Sequence, residues 1–126
     1  MGTPIQIGID ICSVRRIQRA IEQHGNRFLN WVFTQAEQDY CNRKRNKYEN
    51  YAARFASKEA VLKAKKGGRG RFGFRKIEVV RGPNGAPSIH ISKSDRNLFG
   101  ISPAARFELT ITHEREFAVA AVLLFP

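Results

Sequence analysis

One long segment without glycine or proline constrains the fold of this chain more than any other feature. From about Tyr48 to Lys65 the sequence is rich in strong helix formers, which predicts a long central helix. Gly67 and the glycines after it end this helix and begin a basic loop. Glu59 and Lys63 stand four residues apart, so they project from one helix face, a single turn apart. Taken alone, they predict an exposed salt bridge.

A carboxylate near the start of the chain changes the interpretation of that pair. Asp10 lies in the run from Ile5 to Ile11, where isoleucine alternates with small or polar residues as in a half-buried strand. A carboxylate there is costly unless another group compensates its charge. Asp10 and Glu59 are therefore candidates to share a hard cation, with Lys63 beside them to meet phosphate oxygens. The three residues outline a site for a phosphoryl group.

Capping and turn signals divide the rest of the chain into short elements. Ser13 is a candidate N-cap for a helix from Val14 to His24, and Gly25 follows its end. A capping box opens a second helix over Thr34 to Cys41. Later strands are predicted at Lys76 to Arg81, Pro87 to Ile91, Arg106 to Thr112 and Phe117 to Phe125, with a hairpin at Asn84-Gly85 and a short helix near Ser92 to Phe99. Helices early and hairpins late indicate an α+β fold in one domain, residues 1–126.

Charge and composition restrict the partners of the chain. A net charge of +11 and a pI near 10.4 indicate a polyanionic partner: nucleic acid, an acidic protein or a phosphorylated metabolite. With 42% apolar residues the composition is globular, and no run approaches the roughly 18–20 apolar residues of a membrane span. Cys12 and Cys41 lack metal-type spacing, and the N-terminus lacks a secretory signal pattern. We therefore expect a reducing cytoplasm and no membrane partner.

Short motifs follow one another along nearly the whole chain. They are Gly8-Ile9-Asp10-Ile11, Arg16-Ile17, Val32-Phe33-Thr34-Gln35-Ala36-Glu37, Arg54-Phe55-Ala56-Ser57-Lys58-Glu59-Ala60 with Lys63-Ala64, Ile77-Glu78-Val79, Gly85-Ala86-Pro87, Thr112-His113-Glu114 and Ala118-Val119-Ala120. Each is weak alone, but their order and spacing are highly specific. Together they resemble the holo-[acyl-carrier-protein] synthases, the small single-copy 4′-phosphopantetheinyl transferases. The resemblance implies the phosphopantetheinyl transferase fold, with an antiparallel sheet packed against a long central helix.

The resemblance also implies a reaction. The 4′-phosphopantetheine group would pass from coenzyme A to a serine of an apo acyl carrier protein, as in fatty acid biosynthesis, with release of 3′,5′-ADP. The family's Mg²⁺ would be held by Asp10 and Glu59, and water rather than a second strand carboxylate is expected to complete its coordination, since Cys12 follows Asp10 on the same strand face. Lys63 would stabilise or protonate the leaving group. Either Glu59 or a metal-held water would take the serine proton.

The resemblance further assigns residues to substrate binding. The coenzyme A-binding residues it implies are Arg54, Lys63, Gly67, Pro87 and His113. A lone histidine at a strand end is usually a surface residue, but by resemblance His113 binds phosphate. The stretch Arg43-Lys44-Arg45 and the loop Gly68–Arg75 are both open as contacts for the 3′-phosphate. Arg16, Arg19 and Arg27 are predicted to contact the acidic carrier protein, with a solvated helix face as the competing explanation.

Small members of this family are cyclic trimers, so the resemblance implies a homotrimer with its sites between subunits. Asp10, Glu59 and Lys63 would come from one subunit and His113 from its neighbour. An apolar group is expected to form core, trimer contact or both: Phe107, Leu109, Ile111, Val119 and Val122.

Two other functions stay open. A non-enzymatic nucleic-acid-binding module would use Tyr48, Phe72 and Phe74 near basic residues. It leaves Asp10 and Glu59 unexplained, because carboxylates repel phosphate without a metal. A homologue that binds carrier proteins but has lost catalysis is the other, and the intact set of Asp10, Glu59, Lys63 and His113 speaks against it.

Overall fold

Five helices and five strands make up the part of the chain that the structure describes. This structure is a computed structural model, and it describes residues 2, 4–66 and 73–126. The elements in chain order are β1 (Gln6–Ser13), α1 (Val14–His24), α2 (Asn26–Val32), α3 (Gln35–Asn42), α4 (Lys47–Ala64), β2 (Glu78–Arg81), β3 (Pro87–His90), α5 (Lys93–Phe99), β4 (Arg106–His113) and β5 (Phe117–Phe125), with a 3₁₀ turn at Phe74–Lys76 before β2. The predicted elements are confirmed to within about two residues.

Side-chain caps fix the starts of three helices. The hydroxyl of Ser13 accepts a hydrogen bond from the backbone N–H of Arg16 at the start of α1. Thr34 and Glu37 form the predicted capping box of α3, with both reciprocal hydrogen bonds present. Ser92 caps α5 through the N–H of Asp95. The sequence analysis missed α2, whose N-cap Gly25 has no side chain with which to cap it.

The strands form two antiparallel sheets. A three-stranded sheet has the order β1-β5-β4, and β2 pairs with β3 in a separate hairpin. Gly85 in the hairpin turn has φ 82°, a left-handed conformation that glycine adopts without strain, so the Asn-Gly prediction is confirmed. Helix α4 packs against β1 and β5 and so covers one face of the larger sheet. The antiparallel sheet on a long central helix is therefore confirmed.

The alternating side chains of β1 decide what faces that helix. Gly8 and Cys12 are buried and Asp10 is partly buried, whereas the isoleucines between them point outward. A Cβ atom on Gly8 would lie 1.9 Å from the carbonyl oxygen of Ala60, so only glycine permits this approach of strand and helix. The outward row is Ile5, Ile7, Ile9 and Ile11, each 58–66% exposed. Asp10 therefore lies on the face of β1 that packs against α4, opposite the isoleucine row.

The apolar group predicted for β4 and β5 belongs mainly to the core. Val122 is fully buried, and Phe107, Leu109 and Ile111 are partly buried side chains packed against the core cluster. Val119 pairs with Ile11 and therefore lies on the opposite, outward face of the sheet. The outward apolar face is thus centred on β1 rather than on β4. The inward positions of β1 hold glycine, aspartate and cysteine, so its isoleucines all point outward.

A buried ion pair joins α3 to α4. Lys58 Nζ lies 2.8 Å from Glu37 Oε1, both side chains are fully buried, and Lys58 also donates to the carbonyls of Phe74 and Ile77. The other carboxylate oxygen of Glu37 accepts from the N–H of Val79. Burial lowers the pKa of Lys58, and the Glu37 carboxylate opposes that shift. The pair fixes the segment after residue 73 against α4. Among the described residues, no helix is both long and apolar enough to cross a membrane.

Candidate active site

Asp10 and Glu59 line one cavity of about 360 Å³. Asp10 comes from the middle of β1, and Glu59 from the half of α4 that crosses this strand. Arg16, in the first turn of α1, lines the same cavity, and so does Phe28 of α2. Two carboxylates and a guanidinium that are far apart in the sequence therefore share one opening.

Lys63 lies beside the carboxylates, as predicted. Its Nζ donates one hydrogen bond to Asp10 Oδ1 and another to the carbonyl of Ile9, each 3.0 Å long. The lysine side chain is 54% exposed, whereas that of Asp10 is 15% exposed. Lys63 thus compensates the partly buried charge of Asp10 and stays accessible from solvent.

The thiol of Cys12 also lines this cavity. Burial, helped by the Asp10 carboxylate and opposed by Arg16, raises its pKa to about 12. Thiols suit soft metals such as zinc, whereas hard cations such as Mg²⁺ prefer oxygen ligands. The candidate cation ligands in the cavity are therefore the two carboxylates.

This pair of carboxylates fits a magnesium ion. Mg²⁺ is typically held by one or two carboxylates, substrate phosphates and retained waters, rather than by a complete cage of protein ligands. In residues 2, 4–66 and 73–126, no group of three or more His, Cys, Asp and Glu side chains is arranged to hold a metal ion. Asp10 and Glu59 in an open cavity match the first kind of site.

His113 lies at the end of β4, apart from this cavity. Its Nδ1 is 2.8 Å from Oε1 of Glu49, in the first turn of α4. Glu49 and Glu59 are ten residues apart on α4, which corresponds to roughly 15 Å along the helix axis. Within one chain, His113 is therefore next to the beginning of α4, and Asp10 is next to its second half.

Arg54 lies in a basic cavity of about 280 Å³ on another side of α4. Arg43 and Arg81 line the same cavity. Only 2% of Arg54 is exposed, and its guanidinium is stacked 4.1 Å from the ring centre of Tyr40. Its Nε has no hydrogen-bond partner among the described residues. Pro87 pairs with Arg81 across the hairpin, so these two predicted coenzyme A contacts, Arg54 and Pro87, lie in one region.

The three arginines predicted to contact a carrier protein are all exposed on neighbouring helices. Arg16 lines the cavity of Asp10, Arg19 lines a groove between α1 and Phe117 together with Arg15 and Arg115, and Arg27 lines a groove beside Trp31. Of the three, only Arg16 lines the cavity of the two carboxylates. Gly67, the remaining predicted contact, lies outside the described residues.

Sequence reasoning missed two features of these cavities. Glu49 belongs to none of the motifs, and it is 64 residues from His113 in the sequence, so no local spacing signals their contact. Arg16 was predicted as a carrier contact only, although it also lines the cavity of the two carboxylates. Its place on the helix that directly follows β1 is the signal that was available.

Comparison with known proteins identifies the relatives of the chain. The family model of the 4′-phosphopantetheinyl transferase superfamily matches residues 6–122. The holo-[acyl-carrier-protein] synthase of Chlamydia felis is 44% identical over 115 residues, which is 90% of this chain and 91% of the relative. That of Halothermothrix orenii is 43% identical, over 93% and 94% of the two chains. The crystal structure of Helicobacter pylori holo-[acyl-carrier-protein] synthase in complex with coenzyme A superposes with a TM-score of 0.80 at 33% identity, over 94% of this chain and 98% of that one.

Proposed function

This chain belongs to the 4′-phosphopantetheinyl transferase superfamily, and on that premise we propose that it is a holo-[acyl-carrier-protein] synthase. It transfers 4′-phosphopantetheine from coenzyme A to a serine of an apo acyl carrier protein and releases 3′,5′-ADP. The observation that carries this proposal is the cavity shared by Asp10, Glu59 and Arg16, with Lys63 bonded to Asp10. The fully matched relatives bear the names of enzymes with this activity.

Asp10 and Glu59 hold Mg²⁺ in this proposal. When bound, the ion polarises the reacting phosphate and offsets the charge of the departing 3′,5′-ADP. The placement of the carboxylates on a strand and a helix that touch at Gly8 keeps them at a fixed separation. Lys63, half exposed, donates to an oxygen of the leaving phosphate from the same side as Asp10.

Two proton acceptors remain for the serine hydroxyl: Glu59 and a water held beside it. A Glu59→Gln variant separates them, because glutamine keeps the shape and one oxygen but cannot accept the proton. Mg²⁺ binding weakens in either case, because Glu59 is also a proposed metal ligand. If Glu59 is the base, transfer stays almost absent at saturating Mg²⁺, whereas if water is the base, high Mg²⁺ partly restores it.

The nucleotide end of coenzyme A occupies the basic cavity of Arg43, Arg54 and Arg81. Glu37 and Glu78 also line this cavity, but both are engaged: Glu37 pairs with Lys58, and Glu78 accepts from the hydroxyl of Thr34. The three guanidinium groups are therefore the charges available to a phosphate. The unpartnered Nε of buried Arg54 supports this assignment.

The carrier protein docks on α1 and α2. Arg16, Arg19 and Arg27 are exposed on this surface, which borders the cavity where the serine must arrive. Charges at the rim of an interface mainly speed association, and they do so less at high salt. Transfer should therefore show a salt-dependent KM for an acidic carrier.

The active unit is a homotrimer with composite sites. The outward isoleucines of β1 form an exposed apolar row, continued by Leu123 of β5, which is typical of a surface that another subunit covers. Within one chain, His113 contacts Glu49 and Asp10 shares a cavity with Glu59, and these two glutamates are roughly 15 Å apart along α4. This separation supports a site in which His113 comes from a second subunit. Both cysteines are free and buried, which suits action in a reducing cytoplasm.

The nucleic-acid-binding alternative has no support among the relatives, which bear enzyme names, and it leaves the acidic cavity unused.

A decisive experiment is intact-mass spectrometry of an acidic apo acyl carrier protein after incubation with the protein, coenzyme A and Mg²⁺. We expect a gain of one phosphopantetheine group, which is lost with EDTA and in the Asp10→Ala and Glu59→Ala variants. A gain that persists in Asp10→Ala would refute the metal assignment. No gain with several different carriers would favour a carrier-binding homologue without catalysis.

A further inference from the structure

Glu49 is the one ion-paired acidic side chain of α4 that the proposed reaction does not use. Its Oε1 lies 2.8 Å from His113 Nδ1, with the histidine side chain 25% and the glutamate side chain 18% exposed. We propose that Glu49 is a positioning residue that fixes the ring of His113 so that Nε2 is presented to a phosphate of coenzyme A. This inference rests on the proposed function, because His113 then belongs to the coenzyme A site.

The contact is built by two elements with defined ends. Glu49 is in the first turn of α4, where a carboxylate is stabilised by the helix dipole. His113 is the last residue of β4, opposite Ala118 on the neighbouring strand and on the face that packs toward α4. The main-chain position of each residue is therefore set by a regular element, and the side chains meet where helix and strand cross.

The chemistry of imidazole explains what this contact does. A carboxylate only accepts hydrogen bonds, so Nδ1 must carry a proton and donate to Glu49. Within the described part of the chain, no hydrogen bond engages Nε2, which leaves that nitrogen for a ligand. Phosphate oxygens also accept, so His113 binds phosphate as the imidazolium ion, with Nε2–H as the donor. Glu49 fixes the ring plane and offsets the positive charge of that form.

The position of the pair indicates which substrate it serves. In the proposed trimer, His113 belongs to the coenzyme A site of the neighbouring subunit, so Glu49 serves that site rather than the cavity of its own Arg54. The exposed carrier-facing arginines belong to α1 and α2. Loss of Glu49 should therefore weaken the binding of coenzyme A and leave the KM for the carrier unchanged.

Kinetics of single and double variants test this assignment. We expect Glu49→Ala to raise the KM for coenzyme A by about tenfold, the typical effect of one charge-assisted hydrogen bond, with kcat changed less. Glu49→Gln should recover part of the affinity, since its side-chain oxygen still accepts from Nδ1–H. In a His113→Ala background, Glu49→Ala should add less than about twofold, because a positioning residue acts through the residue that it positions. Asp39→Ala is the matched control for loss of an exposed carboxylate, and it should change neither KM.

An equal effect of Glu49→Ala with and without His113 would overturn the proposal, because Glu49 would then act only on the fold. So would a tenfold rise in the KM for the carrier instead of that for coenzyme A.

Nitrogen NMR of the histidine rings gives a second readout that does not depend on turnover. The chain has three histidines, so His113→Gln assigns the His113 signals by subtraction. In the wild type we expect a protonated Nδ1, and addition of coenzyme A should shift Nε2. In Glu49→Ala, the signal of a protonated Nδ1 should no longer dominate. About tenfold more coenzyme A should be needed to produce the same shift of Nε2. The same Nδ1 signal and response in both proteins would overturn the proposal.

These readouts separate failure of this inference from failure of the proposed function. If the wild type modified no carrier, the transferase assignment would fail, yet a coenzyme A-dependent shift of His113 Nε2 that requires Glu49 would still support the positioning role. If the wild type were active and Glu49→Ala matched it in every readout, the enzyme assignment would stand and this inference would fall.

Discussion

Lys63 illustrates how a single residue can matter for chemistry and little for stability. It bonds to Asp10 from a side chain that is 54% exposed, and ion pairs this accessible contribute at most about 1 kcal/mol to folding. In the proposed reaction it supplies a positive charge next to the leaving phosphate, and loss of one such electrostatic contact typically costs about 10²-fold in rate.

We therefore predict that Lys63→Ala lowers kcat by about 10²-fold and changes the free energy of unfolding by less than about 1 kcal/mol. Transfer assays with saturating coenzyme A and urea unfolding of the same preparations measure the two effects. Lys76→Ala, which removes another exposed lysine paired with an aspartate, is the control for charge alone. A similar loss of kcat in Lys76→Ala would contradict a local role for Lys63.

The two cysteines predict how stability depends on alkaline pH. Burial raises the pKa of Cys12 and of Cys41 from the ordinary value of 9.0 to about 12. Between these two values the unfolded chain loses the thiol protons and the folded chain keeps them, so stability falls as pH rises, by up to roughly 1.4 kcal/mol per pH unit for each thiol. Below pH 9 both states keep the protons and the contribution is constant.

Urea unfolding from pH 9 to 11 tests this dependence. Cys12→Ala and Cys41→Ala should each have a shallower fall in unfolding free energy than the wild type, by up to roughly 1.4 kcal/mol per pH unit. Tyr51 and Lys58 also have shifted pKa values, and Cys41 contributes to the raised pKa of Tyr51, so Cys12→Ala gives the cleaner measure of one thiol alone. Equal slopes in the three proteins would mean that the thiols ionise alike in both states.

At the level of elements, the contact of β1 with α4 determines the relative position of the two carboxylates proposed to hold the metal. Gly8 is two residues before Asp10, and a Cβ there would meet two backbone atoms of α4: 1.9 Å from Ala60 O and 2.7 Å from Ala64 N. Backbone atoms cannot rotate away as a side chain does. An added methyl group must therefore push the strand and the helix apart, and with them Asp10 and Glu59.

We predict that Gly8→Ala lowers the free energy of unfolding by about 1–3 kcal/mol, as overpacking does, and weakens Mg²⁺-dependent transfer by a larger factor than the loss of stability explains. Urea unfolding and transfer assays at several Mg²⁺ concentrations measure the two. Gly2→Ala is the control, since a Cβ at Gly2 would meet no atom within 4 Å. Unchanged activity in Gly8→Ala would show that the separation of the carboxylates tolerates this shift.

Elements with local capping signals were predictable, and those without were not. Ser13, Thr34 and Ser92 mark helix starts through side chains that the sequence displays, and the structure confirms all three. Helix α2 begins directly after Gly25, which has no capping side chain, so a stop was predicted and a restart was missed. Its support is tertiary: Trp31 packs edge-on against Phe74, and Phe28 packs against Phe33.

The site divides in the same way. Asp10, Glu59 and Lys63 could be predicted because the helical spacing of the last two and the cost of a strand carboxylate are local facts. The pairing of Glu49 with His113 and that of Glu37 with Lys58 depend on the crossing of distant elements, so no local spacing signals either contact. Arg54 was predicted by resemblance, but its burial under Tyr40 was not.

At the scale of the whole molecule, the positions of the acidic side chains determine which parts of the surface carry the excess positive charge of the chain, +11 in total. Asp10 and Glu37 each pair with a lysine, and Glu49 contacts His113. Helices α1 and α2 carry four exposed arginines and one glutamate, Glu22, which lines the same groove as Arg15 and Arg19. The surplus charge is thus concentrated where an acidic carrier would dock.

The outward face of β1 leads to the prediction for the assembly. Ile9 is 60% exposed on an edge strand of the three-stranded sheet, within an apolar row that runs along the whole strand. Exposed edges and apolar rows of this kind favour association with another chain. A closed trimer would bury the row and have a mass of roughly 43 kDa, three times 14.3 kDa.

We predict that Ile9→Asp prevents the proposed trimer from forming and leaves a folded monomer without transfer activity. A buried carboxylate without a partner opposes assembly, whereas the same residue is tolerated on the free surface of a monomer. Sedimentation velocity measures the mass, circular dichroism verifies the fold, and the mass-spectrometric assay measures transfer. Leu98→Asp is the matched control, because Leu98 is 69% exposed on α5, away from this face. A monomeric Ile9→Asp that still modifies the carrier would mean that one chain holds the complete site and that His113 is not needed across a subunit boundary.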